Sequence, residues 1–233
     1  MIIIPAYNEK ENVAILVKKI RNTLGDIGIL FVEDNSPDGT GAEIKKIQSS
    51  DPNVYLLERA AKSGFGSAYR QAFAWVMKNT ATQFVVTMDA DLSHPPEALP
   101  ELIGRLARYP VVIGSRYAPG GKIENWGLFR QLLSRFGNIY ARLLTGIPVA
   151  DLTSGFLAFR IDWLKRLNLT SSKSEGYAFL IELKYLFRQA AAQFYEYPIT
   201  FVERREGKSK FSLGIVAEGV IYPLKVLWRR LSR

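Results

Sequence analysis

The stretch Phe84-Val85-Val86-Thr87-Met88-Asp89-Ala90-Asp91 decides the fold. Residues 84–88 read as a continuous strand rather than an alternating one, the pattern of a strand covered on both faces. Two carboxylates follow at once. The same rhythm extends outward on both sides. Residues 2–4, 27–32, 54–57 and 111–113 are strand-like, and residues 11–24, 41–47, 67–77 and 97–106 carry helical patterns, the last begun by Pro95-Pro96. Apolar positions Val13, Leu16, Val17, Ile20 and Leu24 have helical spacing. Strands alternating with helices predict βαβ units: an α/β, Rossmann-like, mostly parallel sheet with helices on both faces.

After Gly114 the rhythm breaks at a Gly-rich stretch containing Pro119-Gly120-Gly121. Helices are predicted over 128–144, 177–189 and 213–231, strands over 156–159 and 194–202, and a charged loop over 205–209. No internal repeat or long linker divides the chain. The reading is one main domain over 1–211 followed by a C-terminal amphipathic helix over 212–233.

The chain has 233 residues, 48% hydrophobic and 23% charged, which suits one domain with a buried core and excludes wholesale disorder, collagen and coiled coil. It has no cysteine, so there is no disulfide framework, thiolate zinc site or cysteine nucleophile. Its single histidine, His94, leaves little room for a His-based metal cage or a Ser-His-Asp triad. By its place at a helix start, His94 reads as a polar residue there rather than a ligand.

Net charge is +9, and residues 203–233 hold eight basic and three acidic residues, hence +5 at one end. Such an end could face nucleic acid, anionic lipid or a phosphorylated substrate. Residues 213–228 are too short and too interrupted, by Glu218, Pro223 and Lys225, to span a membrane. Leu213, Val216, Val220, Leu224, Leu227 and Leu231 fall on one helical stripe, which either packs on the domain or lies on a membrane surface. The apolar run starts directly at Met1, which predicts a few further residues upstream.

In an open parallel sheet, ligands bind outside the carboxyl ends of the strands. Pro5-Ala6-Tyr7-Asn8-Glu9, Glu33-Asp34, Asp89-Ala90-Asp91 and Gly114-Ser115-Arg116 follow the predicted strands there. Asp89 and Asp91 are the sharpest signal. Carboxylates so close repel, so one is protonated or a cation lies between them. Oxygen ligands select a hard ion such as Mg²⁺ or Mn²⁺, which commonly shares its shell with substrate phosphates. Helix capping is the plainer alternative. There is no P-loop, and no G-x-G-x-x-G follows the first strand. Gly64-Phe65-Gly66 opens a helix, either for close packing or to present N–H groups to an anion.

The chain resembles the dolichyl-phosphate (polyprenyl-phosphate) mannosyltransferases, inverting family 2 glycosyltransferases of GT-A fold. The resemblance runs from Ile2 to about Phe211. It is carried by Pro5–Glu9, Asp34-Asn35-Ser36-Pro37-Asp38-Gly39-Thr40, Lys62-Ser63-Gly64-Phe65-Gly66-Ser67-Ala68-Tyr69, the segment from Met88 through Asp89-Ala90-Asp91 to Pro96, Gly114-Ser115-Arg116-Tyr117, Asp151-Leu152-Thr153-Ser154-Gly155-Phe156 and Ser209-Lys210, in that order.

The resemblance implies that Pro5, Tyr7, Asn8, Glu9, Val32 and Asp34 hold the guanosine part of GDP-mannose. Asp89, Ala90 and Asp91 would hold the metal and diphosphate. Arg116, Arg204 and Lys210 would contact phosphates, and Arg130 and Ser134 would receive the lipid phosphate of dolichyl or polyprenyl phosphate. Position 93 is Ser where some relatives have Gln as a further metal ligand, so water is expected in its place. Leu157 stands where Arg is common in relatives, and Arg160 is the candidate substitute. The implied location is the cytoplasmic face of a membrane, attached either by the last helix alone or through a separate membrane anchor subunit. A UDP-sugar transferase with the same kind of acceptor is the first rival. A nucleic-acid-binding domain is the remote one, since the acidic strand ends would repel a phosphate backbone.

Overall fold

In the computed structural model the described residues are 1–169, 172–203 and 213–232, the side chains of 213–216 excepted. The elements are β1 (Ile2–Ala6), α1 (Lys10–Leu24), β2 (Ile29–Glu33), α2 (Thr40–Ser50), β3 (Val54–Glu58), α3 (Phe65–Asn79), β4 (Phe84–Thr87), α4 (Leu99–Gly104), β5 (Val111–Ser115), β6 (Lys122–Glu124), α5 (Leu128–Thr145), β7 (Leu157–Arg160), α6 (Ile161–Leu164), α7 (Gly176–Gln189), β8 (Phe194–Pro198), β9 (Thr200–Val202) and α8 (Leu213–Leu231).

A seven-stranded sheet has the order β3-β2-β1-β4-β7-β5-β8. Because strand side chains alternate, the sheet divides its apolar residues between two faces. Ile2, Ile4, Phe31 and Val86 meet Val13, Leu16 and Ile20 of α1 and Leu99 and Leu102 of α4. Ile3, Leu30, Val32 and Val85 meet Tyr69 and Phe73 of α3 and Phe179 and Leu183 of α7. Each fully buried side chain of this size contributes about 1.5–3 kcal/mol.

All pairings are parallel except those of β7, which runs antiparallel to both β4 and β5. Its direction follows from the route of the chain. β5 ends at the edge where the ligand-binding loops gather, and β6 and α5 return the chain to that same edge. β7 can then only run back across the sheet. Thr87 therefore pairs with Leu157, while Arg160 pairs with Phe84 at the far edge.

Three expectations change, and one element is new. The strand predicted over 194–202 is two strands, β8 in the main sheet and β9 paired with β6 in a second, two-stranded sheet. β6, a three-residue strand directly after the Gly-rich turn, has no sequence signal of its own. The helix predicted over 97–106 is α4 flanked by 3₁₀ turns at Pro96–Ala98 and Arg105–Ala107. On α8 the buried face is Tyr222, Pro223 and Val226, whereas Val220, Leu224 and Leu231 of the predicted stripe are 47%, 48% and 76% exposed. α5 and α7 supply the apolar partners for that other face. Among the described residues no helix is long and apolar enough to cross a membrane.

Candidate active site

The strand order reverses between β1 and β4, so their carboxyl ends open a crevice, the place where this sheet architecture binds ligands. A cleft of about 460 Å³ occupies it. Pro5, Tyr7, Glu9 and Asp34 line one end, Asp89, Ala90 and Asp91 the middle, and Arg116, Trp126 and Arg130 the other. Asn8 is exposed with φ 57°, Val32 is fully buried in the core, and neither borders the cleft. Arg204 and Lys210 lie outside the described residues.

At the first end the Lys62 ammonium sits 4.3 Å from the centre of the Tyr7 ring. Glu33 and Asp34 are buried rather than solvated. Glu33 accepts the N–H groups of Asn35 and Ser36, shaping the turn after β2. Arg59 donates to Asp34 at 2.7 Å and to Ser67 Oγ at 2.8 Å. Burial raises the Asp34 carboxyl above its ordinary range, with Arg59 opposing. Arg59 follows β3, so inspecting the end of that strand as well would have found it.

In the middle, Asp89 N–H donates to His94 Nδ1 at 3.0 Å, which leaves the ring proton on Nε2, 3.8 Å from Asp89 Oδ2. The ring is buried and stacked on Phe156 at 4.9 Å. His94 therefore braces the Asp89 loop from behind, a role that helix-start position alone does not suggest. Asp91 Oδ1 accepts Ser93 N–H at 3.1 Å and Ser93 Oγ–H at 2.6 Å, with Leu92 at φ 62° completing the turn. The Asp151–Phe156 loop passes beneath. A Cβ at Gly155 would lie 3.6 Å from Asp89 Oδ1, an ordinary van der Waals contact, so the loop runs directly against the Asp89 carboxylate.

At the other end Arg116 is enclosed. Its N–H, Nε and Nη2 donate to Asp151, and Nη2 also reaches Thr153 Oγ1 at 2.8 Å. Burial disfavours the charge of both partners, but each holds the other ionised: Arg116 is raised and Asp151 lowered. The guanidinium lies 5.6 Å from the Trp126 ring centre and 5.4 Å from that of Phe201. Arg130 stacks on Trp126 at 4.1 Å and pairs with Glu203. Ser134 stands one turn along α5, its Oγ accepting from Tyr117 OH at 2.7 Å. Arg160 pairs with Asp162 at the opposite edge of the sheet, so it does not replace the cation absent at Leu157.

The N–H groups at the start of α3 do meet an anion, and it is the chain's own. Glu175 accepts from Gly66 N–H at 2.6 Å and Ser67 N–H at 3.1 Å, and pairs with Arg70. Nothing in the local pattern around Gly64 marks that carboxylate, which lies 109 residues beyond Gly66.

Comparison with known proteins agrees with this arrangement. The family model for glycosyl transferase family 2 matches residues 1–167. Undecaprenyl-phosphate mannosyltransferase of Micrococcus luteus is 40% identical over 94% of this chain and 90% of its own length. Polyprenol monophosphomannose synthase of Mycolicibacterium smegmatis is 39% identical over 94% of this chain and 83% of its own length. The fold is that of glucosyl-3-phosphoglycerate synthase from Mycobacterium tuberculosis, whose complex with Mn²⁺, UDP and glucosyl-3-phosphoglycerate superposes with a TM-score of 0.64 at 18% identity, covering 98% of this chain and 78% of that one. The α/β sheet, the strand-end carboxylates and the two mannosyltransferase relatives converge: the chain belongs to glycosyl transferase family 2.

Proposed function

We propose that this chain transfers mannose from GDP-mannose to a polyprenyl phosphate, with inversion, giving polyprenyl β-mannosyl phosphate and GDP. One observation carries the reading. A single cleft joins the Asp89–Asp91 pair to an end that carries two guanidinium groups, Arg116 and Arg130, each held by a carboxylate, at the foot of a helix whose outer face is apolar. A donor diphosphate suits the first part, and a phosphate on a long hydrocarbon suits the second.

Pro5, Tyr7, Glu9 and Asp34 would hold the nucleoside, with Asn8 and Val32 acting through the backbone that shapes that end. Asp89 and Asp91 would hold Mg²⁺ or Mn²⁺. Such an ion commonly keeps positions for substrate phosphates and water. When bound, the ion would neutralise charge on the departing diphosphate. Arg204 and Lys210 are assigned the same task from outside the described residues.

The acceptor phosphate carries about −1.5 to −2 charge near pH 7 and attacks without losing a proton to a base. Its oxygen forms the bond to the anomeric carbon as the bond to the diphosphate oxygen breaks, and GDP leaves with the electron pair. Attack in line inverts the centre. The protein's part is positioning two anions against their repulsion, the work of Arg116, Arg130 and Ser134.

Membrane attachment would use α5 and α8, which Tyr140 OH to Val220 O and Arg230 to Leu144 O hold together. Their outer faces expose Phe129 at 81%, Phe136 at 67% and Trp228 at 74%. Exposed Arg135, Arg142, Lys225 and Arg229 flank them, an arrangement suited to an anionic lipid surface.

The test is transfer from radiolabelled GDP-mannose and UDP-glucose, side by side, to a short polyprenyl phosphate with Mn²⁺, Mg²⁺ or EDTA. Metal-dependent mannolipid is expected. Glucolipid alone would move the donor to the UDP-sugar branch, and product in EDTA would remove the metal.

A further inference from the structure

Beneath the cationic end of the cleft lies a charge the transfer reaction does not use. Lys184, on α7, is fully buried. Its Nζ donates to Leu152 O at 2.9 Å, Ser154 O at 2.8 Å and Leu180 O at 3.4 Å. Two of these carbonyls belong to the loop that carries Asp151 and Thr153, the partners of Arg116. Glu196 of β8 grips the loop from the other side, accepting Ala150 N–H at 2.7 Å and Asp151 N–H at 3.0 Å, and Ser115 Oγ–H at 2.7 Å.

We infer that Lys184 is a positioning residue for the acceptor-phosphate subsite, acting through the Asp151–Gly155 loop on Arg116. The inference rests on reading Arg116 as a ligand of that phosphate rather than of the nucleotide-sugar phosphates, the other role its motif allows.

The physical argument is geometric. Loop carbonyls are placed by the hydrogen bonds they accept, and the Lys184 amine, which donates whether charged or neutral, holds two carbonyls of this loop while Glu196 holds two of the adjoining N–H groups. Arg116 takes its position from the carboxylate and hydroxyl that the same loop presents.

The experiment compares wild type, K184M and K184Q. The Gln variant keeps amide donors without charge and guards against a Met variant that does not fold. Wild-type-like GDP affinity and melting identify a folded variant. The expected result is a rise in KM for polyprenyl phosphate of about tenfold or more in both variants, an unchanged KM for GDP-mannose, and faster deuterium exchange over 151–155. Losses shared equally by both substrates and by GDP affinity would mean a merely structural role and overturn the inference. So would unchanged acceptor KM and unchanged exchange. If wild type makes no mannolipid while exchange still rises in K184Q, the functional reading fails and the loop-holding role of Lys184 stands.

Discussion

Arg116 and Asp151, 35 residues apart, form an enclosed ion pair in which Nε and Nη2 meet the two carboxylate oxygens at 2.8 and 2.6 Å and the Arg116 N–H adds a third bond at 3.0 Å. The pair ties the end of β5 to the loop entering β7. Removing one partner leaves a buried charge uncompensated. Asp151→Asn should destabilise the fold by about 3–5 kcal/mol, read as a lowered denaturant midpoint. A midpoint within experimental error of wild type would mean Arg116 is satisfied elsewhere.

Asp89→Ala and Asp91→Ala should each abolish transfer while the protein still folds. Ser93→Ala is the finer probe. It removes the 2.6 Å bond to Asp91 Oδ1 but leaves the Ser93 N–H in place. Stability should fall by about 0.5–1.5 kcal/mol, and the Mn²⁺ concentration for half-maximal activity should rise. An unchanged metal requirement would show that Asp91 orients itself without the hydroxyl.

Arg59 and Asp34 make the corresponding prediction at the nucleoside end. Arg59→Met removes the larger of the cations that offset Asp34, Lys62 being the smaller, and desolvation already favours its protonated form. The KM for GDP-mannose should rise by about tenfold or more, with the KM for polyprenyl phosphate unchanged. Steady-state kinetics with each substrate varied in turn decides it.

Phe129 and Leu133 lie one turn apart on the outer face of α5, 81% and 53% exposed. Replacing both with Ser should leave stability within about 0.5 kcal/mol per site. Flotation with anionic vesicles should drop, because each side chain withdrawn from the interface forfeits about 1.5–3 kcal/mol. Binding by the wild-type chain alone would also show that attachment needs no separate anchor. Equal flotation of wild type and variant would place the contact elsewhere.

Burial pushes the Lys184 ammonium down to about 7 from its ordinary 10.5, with Asp151 and Glu196 pulling it up and Arg116 pushing it down. Between those values the unfolded chain holds a proton that the folded chain does not. The contribution to stability is therefore present in full above 10.5 and lost as pH falls toward 7. Denaturant unfolding in that window should show wild-type stability rising with pH more steeply than that of K184M.

Much of the site was legible because each strand ends where ligands bind, and the residue types there carry their chemistry openly. Asp89, Asp91, Tyr7, Asp34 and Arg116 all follow strands and all line the cleft. Lys184 left a fainter mark, a cation within the apolar run Phe179–Phe187, which is a sign of a buried charge in need of partners. Val32 went the other way: the motif places it beside Asp34, but the alternation of β2 turns it into the core.

By itself the sequence determined the kinds and order of most elements and the chemistry at their ends. Periodicity and turn residues act over a few positions and need no distant partner. The tertiary structure decided the direction of β7, the separation of β8 from β9, and which face of α8 is buried. It also set the partners of Arg116, Lys184 and the α3 N-terminus. Those choices depend on which surfaces and opposite charges meet after the chain has returned across the sheet, over separations of 30 to 109 residues. No local pattern encodes that meeting; burial and hydrogen bonding in the folded state select it.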